Sequence, residues 1–129
     1  MMKTITAVPL YEVDGVKFGM KRGEVRNILG TAKEFKKMKF SKTTIDDFGF
    51  CHVYYNINDE CEAIEIFDEC EVLINGNVVF PYEAGTLKSM INDIEEDESG
   101  FISKKQSIGV YAPDNKMESI LFGCSGYYE

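Results

Sequence analysis

Val13-Asp14-Gly15-Val16-Lys17-Phe18-Gly19-Met20-Lys21-Arg22-Gly23-Glu24-Val25-Arg26-Asn27-Ile28-Leu29-Gly30 decides how the chain reads, because a weaker copy of it returns from Ile74-Asn75-Gly76-Asn77-Val78-Val79-Phe80 onward. Asp14-Gly15 and Asn75-Gly76 each supply two adjacent residues that tolerate positive φ, which a type I′ hairpin turn requires. At one constant offset Phe18 matches Phe80, Gly23 matches Gly85, and Val25, Ile28 and Leu29 match Leu87, Met90 and Ile91. Apolar residues spaced i, i+3, i+4 predict a helix with one inward face after each hairpin. Gly30 ends the first helix. The pattern carries the second through Ile94 into Glu95-Glu96-Asp97-Glu98, to stop at Ser99-Gly100. Four acids there oppose the helix macrodipole, so that end is expected to fray.

A slightly shorter offset then aligns Val53-Tyr54 with Val110-Tyr111, and Ile64 and Ile66 with Ile120 and Phe122. Residues 51–55 are read as a strand turning at 56–59 and returning through 61–67. Residues 108–112 turn at Pro113-Asp114-Asn115 and return through 117–122. The expectation is an α+β fold: an antiparallel sheet with helices packed on one face, made of two tandem helix-plus-hairpin repeats. The repeats span about residues 10–70 and 71–129 of a single domain, 1–129.

A chain of 129 residues buries roughly 68% of its unfolded surface, enough for a core without metal or disulfide staples. With 44% hydrophobic residues, 12% aromatic and 3 Pro, it is neither disordered nor of low complexity. The net charge of -8 is uneven: residues 1–57 hold 10 Lys+Arg against 6 Asp+Glu, a net +4, and residues 58–129 hold 4 against 16, a net -12. An acidic body repels nucleic acid and anionic lipid and attracts basic partners. No nucleic acid and no membrane partner is therefore expected. Lys33 to Lys42, interleaved with Phe35, Met38 and Phe40, is expected to guard an edge strand. Cys51, Cys61, Cys70 and Cys124 form no CxxC pair and match no zinc framework. No apolar run approaches the ~20 residues of a membrane span, and residues 1–20 lack the apolar middle of an export signal. These features predict reduced thiols and a cytoplasmic location.

Phe18-Gly19-Met20-Lys21-Arg22-Gly23-Glu24-Val25-Arg26-Asn27-Ile28-Leu29-Gly30 resembles the Gly-Met…Val…Leu-Gly helix of the small outer-membrane assembly lipoproteins (SmpA/OmlA). The same unit in duplicate is similar to the β-lactamase inhibitor protein (BLIP-like) family. That resemblance implies two helix-plus-sheet units forming one continuous antiparallel sheet, with helices on one face and a concave face free for a protein partner. The export signal and lipidated cysteine of the lipoproteins have no counterpart in residues 1–20.

Strand alternation assigns the faces. A symmetric turn at 56–59 pairs Cys51 with Ile64 and Val53 with Glu62. Cys51, Val53, Tyr55, Ile64, Ile66, Val110, Ala112, Ile120 and Phe122 then face the helices. The open face receives His52, Tyr54, Ala63, Glu65, Phe67, Tyr111, Ser119 and Leu121. His52, Tyr54, Glu65, Phe67, Tyr111, Ser119 and Leu121 are the candidate protein-binding residues, since tyrosine gives large contact area at low entropy cost. The alternative is that a loop, the Tyr127-Tyr128 segment or a dimer mate covers this face. His52 is the only histidine, and no nucleophile–histidine pattern, metal set or phosphate-cradling glycine loop is recognisable. No catalytic residue and no cofactor is therefore expected. The carboxylates between Glu60 and Glu71 read as a solvated acidic face. The sequence thus predicts a non-enzymatic protein-binding module, an inhibitor or bacterial immunity protein that covers a basic, toxin-like partner. The second expectation is a structural domain that forms a homodimer through the open face.

Overall fold

The computed structural model describes residues 3–129. It is mixed α+β, with thirteen strands in two sheets and two α-helices. Strands β1 (Lys3–Val8), β2 (Glu12–Val13) and β3 (Val16–Lys17) precede α1 (Arg22–Leu29). Four strands follow: β4 (Lys33–Phe35), β5 (Ile45–Asp47), β6 (Cys51–Tyr55) and β7 (Cys61–Phe67). The hairpin β8 (Cys70–Ile74) and β9 (Asn77–Phe80) then leads to α2 (Ala84–Met90). Four more strands close the chain: β10 (Ile94–Asp97), β11 (Gly100–Ser103), β12 (Ile108–Tyr111) and β13 (Ser119–Gly123). Hairpin, helix and four strands thus succeed one another twice.

Both predicted hairpin turns form. Asp14 and Gly15 have φ of 51° and 87°, and Asn75 and Gly76 have 52° and 79°. Gly30, at φ 100°, ends α1 where its backbone N–H reaches the Arg26 carbonyl.

The two groups of four strands join into one antiparallel sheet, ordered β10-β11-β12-β13-β7-β6-β5-β4. A single continuous sheet is not the whole fold, however. The hairpins leave it and, with β1 between them, build a second sheet ordered β3-β2-β1-β8-β9, in which β1 and β8 run parallel. This second sheet and the helices occupy one side of the eight-stranded sheet. Ile5, Val16, Val72 and Phe80 belong to one buried cluster with Val25 of α1, Leu87 of α2, and Val53, Ile66, Ile120 and Phe122. Fully burying an aliphatic or Phe side chain contributes about 1.5–3 kcal/mol, so this shared core holds the layers together.

Two expectations are corrected. The second helix stops at Met90, and Ile94–Asp97 is an edge strand. Asp93 accepts hydrogen bonds from Ser103 Oγ (2.6 Å) and the Lys105 N–H (2.9 Å), which fixes the chain against β11. Extended backbone also spares Glu95, Glu96 and Asp97 the repulsion of a helix C-terminus. The 51–67 hairpin has a different register: Cys51 pairs with Ile66 and Val53 with Ile64, after a bulge between Tyr54 and Tyr55. The turn is asymmetric because Asn56 Oδ1 accepts from the N–H groups of both Asn58 and Glu60, at 2.9 and 3.0 Å. A shift of two residues preserves which face each side chain takes, so the predicted facing survives the wrong register. The Lys33–Lys42 stretch contributes the outermost strand β4 only through Phe35, and the rest is turn.

Candidate functional site

The open face is set by the centre of the sheet, where β13 lies between β7 and β12. Glu65 pairs across the ladders with His52 on one side and Leu121 on the other, and Ser119 pairs with Phe67 and Tyr111. All seven predicted residues therefore share one face. Glu65 is its hub. Tyr54 Oη donates to Glu65 Oε1 at 2.6 Å, and Ser119 Oγ donates to Oε2 at 2.8 Å. Burial, then this bond to a carboxylate, pushes the Tyr54 phenol well above its ordinary pKa, so it stays a neutral donor.

His52 lies between two aromatic edges, with ring centroids 5.1 Å from Phe35 and 4.8 Å from Phe67. Its Nε2 is 3.7 Å from Asp47. Phe35 joins this row because β4 and β5 place it on the same face, a position that reading Lys33–Lys42 as an edge strand did not assign. His52 makes no hydrogen bond to Ser119, whose hydroxyl is spent on Glu65. Among the described residues no group of three or more His, Cys, Asp and Glu is placed to hold a metal. The four cysteines are free thiols, and all but Cys124 are buried.

The other half of the face is built differently. Gly109 and Gly123 occupy open-face positions, and the C-terminal tyrosines lie over them. A Cβ at Gly109 would come within 1.9 Å of Tyr128 Oη, and one at Gly123 within 2.6 Å of Tyr127 Cβ. The two rings meet edge to face at 5.2 Å. The chain's own terminus thus covers part of the surface. Tyr111 stays 52% exposed. Beside it runs an open groove of about 430 Å³ lined by Glu65, Glu95, Asp97, Ile102, Leu121 and Tyr128, among others, with no Lys, Arg or His. Its charge is all of one sign and its walls are largely apolar.

On the opposite, helix-bearing side sits a buried ionic cluster that sequence reading missed. Asp46, fully buried, accepts from Arg22 Nη1 (3.1 Å), Arg26 Nε and Nη2 (2.8 and 2.6 Å) and Tyr55 Oη (3.0 Å). Burial opposes ionisation of Asp46, but the Arg26 and Tyr55 hydrogen bonds and the two guanidinium charges prevail and hold its pKa below the ordinary value. Arg22 also reaches Asp59 at 2.8 Å and stacks on the Tyr55 ring, and Arg26 reaches Glu34 at 3.0 Å. The signal was Arg22 and Arg26 at i, i+4 on one helix with an acid in a strand opposite. The cluster ties α1 to β5.

No helix among the described residues is long and apolar enough to cross a membrane. Comparison with protein-family models, curated proteins and solved structures finds no significant match to this chain.

Proposed function

We propose that this protein is a non-enzymatic, BLIP-like binding module of two tandem repeats, an inhibitor or immunity-type protein whose open sheet face covers a basic protein. The observation that carries the reading is the face itself. Around the part covered by Tyr127 and Tyr128, one sheet face carries the His52–Phe67 aromatic row, the Tyr54–Glu65 pair with the buried Ser119 behind it, and the acid-lined groove beside Tyr111. The exposed Tyr111 and the half-buried His52 and Phe67 supply contact area, and the carboxylates supply steering toward Lys and Arg. The hub residues are held by neutral donors, so Glu65 can meet a partner's cation without first breaking an internal ion pair.

Two features support the duplication. At the offset that matches Phe18 with Phe80, Arg26 corresponds to Lys88 and Glu34 to Glu96, and both pairs bridge a helix to the strand after it. The β7–β13 register also pairs Ile64 with Phe122 and Ile66 with Ile120. Because Ile64 corresponds to Ile120 and Ile66 to Phe122, this is the pattern of a local two-fold axis between Glu65 and Leu121.

The test is affinity capture from host lysate at low salt with wild type, Tyr111→Ala and Glu65→Gln. A basic protein retained by wild type and lost by both variants is the expected result. Capture that is indifferent to both substitutions, or confined to acidic proteins, refutes the reading.

A further inference from the structure

Where β4 turns into β5 and β6 turns into β7, three apolar side chains stand in water. Met38, Phe40 and Ile57 are 62%, 85% and 75% exposed. The two connections lie side by side: Ile45 pairs with Tyr54, and Lys42 and Thr44 line one recess with Asn56 and Ile57. Phe40 is held outward by a turn that is closed twice. The Ser41 N–H donates to the Met38 carbonyl at 3.0 Å, and the Met38 N–H donates to Ser41 Oγ at 3.2 Å. Lys36, Lys37, Lys39 and Lys42 alternate with these residues along the chain, and all four are exposed. The acids of β4 and the 56–60 turn already have cations of their own: Glu34 has Arg26, Asp59 has Arg22 and Glu60 has Lys21. Among the described residues the four lysines enter no ion pair within the chain.

We propose that this end of the sheet seats on an anionic lipid bilayer, with Phe40, Met38 and Ile57 entering the interface and the four lysines meeting the headgroup phosphates. The net charge of -8 does not forbid this, because the fold separates the charges. The acidic strand β10 and β4 are the opposite edges of the eight-stranded sheet. At ~4.8 Å per strand they stand roughly 30 Å apart, several times the ~8 Å screening length of physiological salt. The expectation that no membrane partner binds rests on the charge of the whole chain, and at this end of the fold the local sign is reversed. Lysines alone would suit any polyanion, and the apolar side chains choose among them. A nucleic-acid duplex has no use for Met38 or Ile57. Single strands are tracked along a basic groove with successive aromatic platforms, whereas Phe40 is one ring on one turn. A bilayer interface uses both parts: the apolar side chains leave water, and each lysine near the surface adds about fivefold to partitioning. The contact leaves the groove beside Tyr111 free, so it stands apart from the binding reading above.

The chain contains no Trp, so Phe40→Trp places a single reporter at the proposed contact and Tyr111→Trp places one on the open face. With vesicles of phosphatidylcholine mixed with phosphatidylglycerol at low salt, Phe40→Trp emission should move to the blue and be quenched by brominated acyl chains. Tyr111→Trp should not respond, and vesicles of phosphatidylcholine alone should leave both unchanged. In vesicle flotation the Lys36→Ala/Lys37→Ala/Lys39→Ala/Lys42→Ala variant should bind about a hundredfold more weakly or worse, and Phe40→Ser/Ile57→Ser about tenfold more weakly. Every substituted side chain is exposed, so circular dichroism should show the fold unchanged in each. A Phe40→Trp protein that does not respond at low salt, a response from Tyr111→Trp in its place, or flotation indifferent to the lysine variant overturns the proposal. So does tighter binding to a duplex or single-stranded oligonucleotide than to the vesicles, which would assign the lysines to nucleic acid.

Discussion

Replacing Asp46 with alanine removes a carboxylate that accepts four hydrogen bonds, three from guanidinium groups and one from Tyr55. Taking one partner from a buried ion pair costs about 3–5 kcal/mol, because the other charge is left desolvated. Arg22 is 13% exposed and keeps Asp59, whereas Arg26 is 37% exposed and keeps Glu34. Both cations therefore regain part of their solvation elsewhere, which places the loss near the lower end, at about 3 kcal/mol. Against a total stability of ~5–15 kcal/mol that is a large fraction. Urea denaturation followed by circular dichroism measures it. Asp46→Asn keeps an acceptor without the charge and should lose about 1–2 kcal/mol, while the neighbouring Asp47→Ala should lose only about 1 kcal/mol, for its hydrogen bond from the Gly49 N–H. Acid gives an independent reading. The folded Asp46 pKa lies below the unfolded value of about 3.9, so its charge stabilises fully above that pH and the benefit fades as pH falls through the lower, folded value. The gap between wild type and Asp46→Asn should be constant near neutrality and close only in strong acid. An Asp46→Ala protein as stable as Asp47→Ala would refute the claim that this cluster anchors α1.

Two further outcomes follow from burial. Gly109→Ala should lift Tyr128 off the sheet, since its new methyl would sit where the phenol lies; burial now pushes that phenol up to about 12, and spectrophotometric titration should find it returning toward ~10. The fold itself should persist, with a cost of about 1–3 kcal/mol, because Tyr127 and Tyr128 belong to no strand or helix. Thiol modification of the native protein should reach Cys124 first, since Cys51, Cys61 and Cys70 are buried. Desolvation also raises all four thiols, Cys61 to about 12. A native protein in which Cys61 reacts as fast as Cys124 would contradict the packing around β7.

What the sequence made legible was local chemistry with strong stereochemical demands. Asp14-Gly15 and Asn75-Gly76 have few alternatives to a tight hairpin, and Gly30 few alternatives to a helix end. Facing along β7 and β13 was equally readable, because alternation is insensitive to a two-residue register error. The misses arose where distant groups decided the outcome. Ile94–Asp97 shares the apolar start and acidic tail of many helices, and only its pairing with β11 makes it a strand. Nothing local announces that the two hairpins separate from the large sheet to meet around β1. Gly109 carries no local sign that Tyr128, beyond the next strand, needs the space above it. The ionic cluster at Asp46 likewise joins groups 20 and 24 residues apart.

The position of β13 between β7 and β12 has a consequence for biosynthesis. When residues 61–67 leave the ribosome, β7 can pair with β6, but its other edge belongs to a strand that does not yet exist. Ala63, Ile64 and Ile66 must wait with an open hydrogen-bonding edge while the whole second half is translated. Such an edge is a template for neighbouring nascent chains. The large sheet can close only from its outer strands inward, with the last-made strand serving as its keystone.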